Sequence, residues 1–269
     1  MIRSPLSITS VLDESTEVVA MTAAPWAGLL ALTALPYRFL QALFLDQLLE
    51  VGSAASQYGN LLGGTANLIV CSILVALWGR AVYARACRLA LSRGTAPGRE
   101  TWRVPAAALA SYVLTSSAVL LGAYLSIFTC LGIFVVAVFA GLAIGTMELN
   151  ERVSLLQPFR LIGRHARVML LLGLVLVFFC GLLVAFVNLA AAFGLAIWAA
   201  GAIGGFDAPN WQLLFSAGNR RFMLLMIAGA FVLVEPFWIA ANVVFVRKAG
   251  AEERGDDLRA WFEELRRAS

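Results

Sequence analysis

The chain has 269 residues, of which 61% are hydrophobic and only 13% are charged. Soluble domains usually carry about 25% charged residues, so a water-soluble fold of this composition would expose far more apolar surface than water tolerates. The net charge of +4 is small and dispersed along the chain, which argues against a nucleic-acid-binding function. The composition therefore predicts an integral membrane protein.

Hydrophobic segments long enough to cross a bilayer recur along the chain. A membrane-spanning helix needs about 20 mainly apolar residues, and continuous apolar runs without alternation exclude a membrane β-barrel. The uncharged run 105–147 would be about 65 Å long as one helix, twice the hydrocarbon thickness, so we expect it to fold back near 126–132. We predict an all-α transmembrane bundle in a single domain, with six spans at 18–40, 61–84, 105–126, 131–147, 168–200 and 222–246.

The basic residues are unevenly distributed between the loops that join these spans. Arg38, Arg220 and Arg221 fall on one side, and the other 17 of the 20 basic residues fall in the alternate loops and the two termini. Cytoplasmic loops of membrane proteins carry the excess of Lys and Arg. Because 19 of the 20 basic residues are Arg, and Ala, Gly and Val are frequent, as in GC-rich bacterial genomes, we expect a multi-pass protein of a bacterial inner membrane with both termini in the cytoplasm.

Two short segments have the spacing of amphipathic helices on the cytoplasmic side. In 154–167 the apolar residues fall on one face and three Arg on the other, which is typical of a helix on the inner leaflet; an ordinary positively charged loop is the alternative. In the tail, 255–268, an apolar stripe must dock on the membrane surface, on this protein's own loops or on a partner. The candidate lipid or partner contacts in these segments are Arg160, Arg164, Arg167, Trp261 and Phe262.

One acid lies inside a predicted span. Glu235 is near the middle of the last span, where a carboxylate costs about 2.5–3.5 kcal/mol on the insertion scale, so it is a functional candidate. Pro236 follows it and removes a helix hydrogen bond. Two interpretations stay open. Glu235 has a structural role, either in an internal pair or hydrogen bond with Arg80, Asn188 or Tyr112 or as a protonated carboxyl satisfied by the backbone, or it contacts a cation, proton or substrate. The candidate intramembrane polar site consists of Glu235, Arg80 and Asn188.

The residue types that most enzymes need are scarce. His165 is the only histidine, which excludes a haem or zinc centre built on several imidazoles. No phosphate-binding glycine loop and no GxSxG motif occurs, and the four cysteines are far apart in the sequence. We therefore expect no catalytic residue, no bound metal and no cofactor, and we expect His165 at the surface near lipid headgroups.

Three stretches carry a family resemblance. They are residues 4–13 before the first span, Glu148 with the basic segment that ends at 164–167, and 236–241 with the exit residues Arg247, Lys248, Asp257 and Leu258. Together they resemble the bacterial membrane domain found beside glycerophosphoryl diester phosphodiesterases, although 244–246 lacks the family's aromatic–aspartate pair. The resemblance implies a six-span, non-catalytic membrane module, and we expect no segment long enough to hold the phosphodiesterase domain itself.

These features lead to two hypotheses about function. The first is a non-enzymatic subunit or scaffold of a membrane complex, which uses its Arg-rich cytoplasmic face and its tail helix. The second is a transporter, channel or lipid-handling protein built around Glu235. The expected partners are the lipid bilayer and a protein at the cytoplasmic face, not nucleic acid, and a homo-oligomer is left open.

Overall fold

The structure, a computed structural model, describes residues 6–50, 58–125, 156–204 and 218–254, together with Arg266. Within these residues the backbone is helical almost throughout and contains no β-strand, which confirms the all-α prediction for this part of the chain. The α-helices are α1 (Ile8–Thr22), α2 (Gly28–Glu50), α3 (Tyr58–Arg93), α4 (Ala106–Leu125), α5 (Leu156–Leu174), α6 (Phe186–Gly204) and α7 (Arg220–Arg254).

Three shorter elements join these helices. The π-helix Ala23–Ala27 connects α1 to α2, and the π-helix Val175–Ala185 connects α5 to α6. A 3₁₀ helix, Arg99–Trp102, lies in the loop between α3 and α4. The chain is therefore helical without a break from Ile8 to Glu50 and from Leu156 to Gly204.

Three helical segments of the described residues are long and apolar enough to cross a membrane. They overlap the second, fifth and sixth predicted spans, and a shorter apolar helix overlaps the start of the third. The predicted fourth span, 131–147, lies outside the described residues, as does the tail helix, 255–268, apart from Arg266. The six-span arrangement therefore stays a prediction. The three long segments are Val70–Arg93, Arg164–Ile203 and Arg220–Glu252, and the shorter one is Ala106–Ala118.

The first predicted span is shorter than the helical structure that contains it. Hydropathy places the span at 18–40, whereas the chain is helical from Ile8 to Glu50. Ser7 starts the helix, because Ser7 Oγ accepts a hydrogen bond from Ser10 N at 3.2 Å and Ser10 Oγ accepts one from Ser7 N at 3.2 Å. This capping box satisfies backbone donors of the first turn. Hydropathy reports where apolar residues occur, not where a helix begins or ends.

The basic amphipathic segment and the start of the fifth predicted span both lie in α5. From Leu156 onward the segment is helical, as its spacing predicts, and the span continues from α5 through the π-helix Val175–Ala185 into α6. The backbone leaves the helical region at His165, where φ is −123° and ψ is 27°. Such a local break bends a helix. The basic part of α5 and its apolar part therefore meet at a kink.

The chain packs as two compact units. Unit 1 consists of Met1–Gly28, Arg80–Leu174 and Pro236–Ser269, and unit 2 consists of Leu29–Gly79 and Val175–Glu235. Every described basic residue that the Arg pattern places on the cytoplasmic side belongs to unit 1, whereas Arg38, Arg220 and Arg221 belong to unit 2. The basic residues that the sequence places on opposite sides of the membrane therefore belong to different units.

In unit 1 the N-terminal helix is attached by one face. The last buried residue of that face, Thr22, has its Oγ1 atom 3.0 Å from Tyr83 Oη on α3, in a buried hydrogen bond. Residues 239–246 of α7 are buried around the whole helix and form the centre of the unit. The buried residues of α1 repeat every three or four positions, as one helix face does: Val11, Ser15, Val18 and Thr22.

In unit 2 glycines let helices approach closely. A Cβ atom on Gly79 of α3 would lie 1.9 Å from Thr33 Oγ1 and 2.7 Å from Thr33 Cβ on α2. A Cβ atom on Gly229 of α7 would lie 3.0 Å from Leu189 on α6. Small residues have this role at helix contacts in membranes, where burial from water does not drive helices together. The packing of unit 2 therefore depends on glycine at Gly79 and Gly229, where a side chain would crowd the neighbouring helix.

We expect Gly79→Ala to destabilise the protein by about 1–3 kcal/mol, because the added methyl group overlaps Thr33 and α2 must move away. Thermal unfolding of the purified protein in detergent measures the change. Gly194→Ala on α6 is the matched control, since a Cβ atom there meets nothing within 4 Å and Ala is favoured over Gly in a helix by about 1 kcal/mol. Equal stability of Gly79→Ala and wild type would contradict the close contact of α2 with α3.

Candidate functional site

The acid inside α7 faces a basic residue on α2. Glu235 and Arg38 both belong to unit 2, and Glu235 Oε2 lies 3.5 Å from Arg38 Nε. The Glu235 side chain is 1% exposed and the Arg38 side chain 21%. The separation exceeds the 2.7–2.9 Å or so of a charge-assisted hydrogen bond, but opposite charges at this distance attract strongly in an apolar environment. Glu235 and Arg38 are therefore an ion pair without a direct hydrogen bond between these two atoms.

Uncharged neighbours orient the Arg38 side chain. Arg38 Nη1 donates a hydrogen bond to Gln41 Oε1 at 3.1 Å. Its guanidinium carbon lies 5.6 Å from the ring centroid of Tyr37 and 5.7 Å from that of Phe231, within the range of cation–π attraction. Phe231 precedes Glu235 by four residues on α7, so the ring and the carboxylate lie on one helix face. Arg38, Gln41, Phe231 and Glu235 are called the ion-pair cluster below.

The π-helix Val175–Ala185, which also belongs to unit 2, contacts the ion-pair cluster at the ring of Phe231. A Cβ atom on Gly181 would lie 3.3 Å from Phe231 Cε1, so glycine leaves room for the ring. π-helical turns are rare and are frequent at functional sites. The position of Phe231, and with it one side of the Arg38 guanidinium, therefore depends on a glycine in an unusual helix.

Both helices contain a proline beside the ion pair. Pro36 lies within α2, two residues before Arg38, and Pro236 lies within α7, directly after Glu235. Proline has no N–H group, so the carbonyl four residues earlier loses its helical hydrogen bond. Intramembrane acids and backbone carbonyls without a helical hydrogen bond are groups that membrane transporters use to bind ions. The site thus combines a structural ion pair with features that also occur in ion-binding sites.

The other two residues of the predicted intramembrane site lie in different surroundings. Arg80 is buried on α3 and belongs to unit 1, as does Tyr112, which is buried on α4. Asn188 is exposed on α6, and its Nδ2 donates a hydrogen bond to Val184 O at 2.7 Å. Asn188 therefore satisfies an amide donor with a backbone carbonyl of the adjoining π-helix, Val175–Ala185. Pairing of these residues with Glu235 stays a prediction.

Arg38 is the site residue that sequence reasoning missed. The hydropathy pattern ends the first span at residue 40, which makes Arg38 a flanking residue on the external side. In the structure α2 continues to Glu50, so Arg38 lies in the interior of its helix. One signal was available: Arg38 is the only charged residue of the apolar segment 18–40, and it closely follows Pro36.

The candidate contacts of the basic segment lie on α5. The side chains of Arg164 and Arg167 are exposed. Arg160 is part of α5, but its side chain lies outside the described part of the structure, as do Trp261 and Phe262 of the tail. Contact of these residues with lipid or a partner stays a prediction.

His165 is half-buried, whereas the sequence suggested a surface residue. Its imidazole packs edge-on against Phe245 of α7, with 6.0 Å between ring centroids and an interplanar angle of 84°. His165 Nε2 is buried and has no hydrogen-bond partner among the described residues. Because the kink of α5 falls at this residue, the ring turns toward α7 while its neighbours Arg164 and Arg167 remain exposed.

Charged side chains connect the helix ends of unit 1. Lys248 Nζ lies 3.0 Å from Glu14 Oε2, which joins α7 to α1. Arg247 Nη1 donates a hydrogen bond to Leu91 O at 2.9 Å, which joins α7 to α3. Two adjacent residues of α7 therefore fix three helices to one another on the Arg-rich face.

The comparisons with known proteins give no further assignment. No group of three or more His, Cys, Asp or Glu side chains in the described ranges is placed to hold a metal ion. No family model, curated protein or solved structure matches the chain. The resemblance to the membrane domain found beside glycerophosphoryl diester phosphodiesterases therefore stays a prediction, and inferences about function depend on the geometry of the chain itself.

We expect Arg38 and Glu235 to be energetically coupled. Arg38→Leu and Glu235→Leu should each destabilise the protein by about 1–3 kcal/mol, because each leaves the other charge without its ion-pair partner. The double variant should lose less than the sum of the two single losses, by about 0.5–3 kcal/mol. Unfolding of the wild type and the three variants in detergent measures the coupling. Strictly additive losses would show that the two side chains do not interact.

Proposed function

We propose that this protein is a non-enzymatic integral membrane subunit or scaffold of a bacterial inner-membrane complex. In this proposal it has six spans with both termini in the cytoplasm, and it binds a protein partner through its Arg-rich cytoplasmic face and its tail helix. The observation that carries the proposal is the ion pair of Glu235 with Arg38, because it gives the acid within α7 a partner inside the protein.

The ion pair supports a structural role for Glu235. A carboxylate in a membrane-spanning helix is expensive unless a counter-charge compensates it. Removal of one partner of a buried ion pair destabilises a protein, because it leaves the other charge uncompensated. Arg38 supplies this compensation and is itself oriented by Gln41, Tyr37 and Phe231. The acid therefore needs no external cation to be stable.

The Arg-rich face supports a role in binding. Unit 1 contains the described basic residues of the proposed cytoplasmic side, and Arg164 and Arg167 are exposed there. The contacts of Lys248 with Glu14 and of Arg247 with Leu91 hold the neighbouring helix ends in place. A rigid surface patch of positive charge attracts a negatively charged partner and increases its association rate. An acidic protein surface is therefore the partner that this face fits.

The scaffold proposal predicts a bound protein that depends on Arg164 and Arg167. Purification of the tagged full-length protein in two mild detergents, with quantitative mass spectrometry, should recover a stoichiometric partner. Arg164→Gln/Arg167→Gln should weaken its retention about tenfold, if each exposed charge contributes about 0.7 kcal/mol. Arg220→Gln/Arg221→Gln is the matched control, since both residues are exposed but belong to unit 2. Recovery of the protein alone from both detergents would count against the proposal.

The ion-pair cluster also favours a second candidate function. A transporter, channel or lipid-handling protein built around Glu235 would use an ion pair that opens, with a cation or proton replacing Arg38. Pro36 and Pro236 beside the two charges, and the π-helix at Gly181 that contacts Phe231, are the observations in its favour. Backbone carbonyls without a helical hydrogen bond also occur at ion sites in transporters.

Glu235→Gln distinguishes the two candidates. Glutamine keeps the size and hydrogen-bonding capacity of the side chain but does not titrate. The scaffold proposal predicts normal membrane insertion and full rescue of the phenotype of a deletion strain. Glu252→Gln is the matched control, because Glu252 is an exposed acid on the same helix. A folded, inserted Glu235→Gln protein that fails to rescue, beside an active Glu252→Gln protein, would favour the transport candidate.

A further inference from the structure

The loop between α3 and α4 is placed at a membrane surface by the helices that flank it. Val70–Arg93 is apolar and long enough to cross a bilayer. Twelve residues, 94–105, separate it from the apolar helix Ala106–Ala118. A loop this short returns the chain to the surface that it has just reached. Residues 94–105 therefore lie near the lipid headgroups.

Local hydrogen bonds give this loop a defined shape. Gly94 has φ of +67°, a conformation that favours glycine, and its N–H donates to Ala90 O at 2.8 Å to end α3. Thr101 Oγ1 donates to Gly98 O at 2.7 Å, and Arg93 pairs with Glu100 across the loop. The backbone of the loop therefore has a defined conformation before any ligand binds.

Two tryptophans connect the loop to the π-helix Ala23–Ala27. The rings of Trp26 and Trp102 lie 5.3 Å apart with an interplanar angle of 56°. Trp26 is 5% exposed, and its indole Nε1 donates to Pro97 O at 3.4 Å, whereas Trp102 is 46% exposed. Tryptophan is enriched at headgroup depth because its ring is apolar and its N–H is polar. The exposed half of Trp102 therefore faces the region where headgroups and acyl chains meet.

Beside Trp102, the guanidinium group of Arg103 has no compensating charge among the described residues. A hydrogen bond from its own backbone N–H and the Arg93 side chain hold the pKa of Glu100 below its ordinary value, so Glu100 stays charged and neutralises Arg93. Arg103 follows Trp102 directly and is exposed. Its guanidinium group makes no hydrogen bond or ion pair within the part of the chain that the structure describes. A positive charge and a half-exposed indole thus stand next to each other.

We propose that Trp102 and Arg103 form a binding site for an anionic phospholipid. Arg103 binds the phosphate of the headgroup, and the exposed face of Trp102 contacts the start of the acyl chains. A lipid with net negative charge is favoured over a zwitterionic one, because each Arg near an anionic surface contributes about 1 kcal/mol. Inorganic phosphate offers no apolar part to Trp102 and binds more weakly. This site is separate from the proposed protein-binding face on α5.

Lipid-dependent stabilisation of the full-length protein tests the proposal. The protein in a non-ionic detergent is titrated with phosphatidylglycerol, phosphatidylcholine or inorganic phosphate, and the apparent affinity is taken from the rise in Tm. Phosphatidylglycerol should raise the Tm more than phosphatidylcholine does, and phosphate should have little effect. Arg103→Gln should weaken the apparent affinity for phosphatidylglycerol about fivefold, the equivalent of about 1 kcal/mol.

Two further variants make the result decisive. Trp102→Ala removes the indole face and should reduce the affinity for phosphatidylglycerol, with its Tm before lipid addition showing that it is folded. Arg221→Gln, an exposed Arg of unit 2, should keep the wild-type affinity. Equal effects of the two lipids, an equal effect of phosphate alone, or wild-type affinity of Arg103→Gln would each overturn the proposal. An equal loss in Arg221→Gln would overturn the assignment to this loop.

Discussion

The free-energy penalty of a charge away from water is the constraint on which the arrangement of unit 2 depends. Glu235 lies within a helix that is apolar enough to cross a membrane, and Arg38 compensates its charge from α2. The pair fixes which face of α7 points to α2. Phe231 lies on that same face, so the ring meets both the guanidinium and the backbone at Gly181. One electrostatic requirement thereby determines the contacts of α2, α7 and the π-helix.

Different kinds of contact stabilise the interior of each unit. Within unit 2, Gly79 and Gly229 allow side chains of neighbouring helices to reach the backbone, so close packing is the main attraction. Within unit 1, the contacts at helix ends are polar: Thr22 with Tyr83, Glu14 with Lys248, and Arg247 with a carbonyl of α3. Polar ties of this kind are favourable near headgroups and water. Each unit therefore uses the contacts that suit the surroundings that the Arg pattern predicts for it.

The sequence predicts some elements closely and others poorly, for physical reasons that particular residues show. The start of the third predicted span, at residue 105, nearly coincides with the start of α4, because Pro105 and the charged loop before it define this helix start. The helix that contains the first predicted span extends beyond it at both ends, and hydropathy does not show this, since Ser7 caps a helix whose first turns are polar. Arg38 is a flanking charge if its helix stops at residue 40, but it is an interior residue of α2, which continues to Glu50. Long-range pairs such as Arg38 with Glu235 are absent from any local pattern, although each member can be recognised as unusual.

The contact between Lys248 and Glu14 has a practical consequence for solution studies. Lys248 is the only lysine of the chain, so apart from the N-terminus its ammonium group is the only primary amine that acylating reagents can modify. That ammonium group is mostly covered where α7 meets α1, at its ion pair with Glu14. Chemical labelling followed by mass spectrometry therefore reads a single position. The rate of acylation at Lys248 reports how often the N-terminal helix separates from α7.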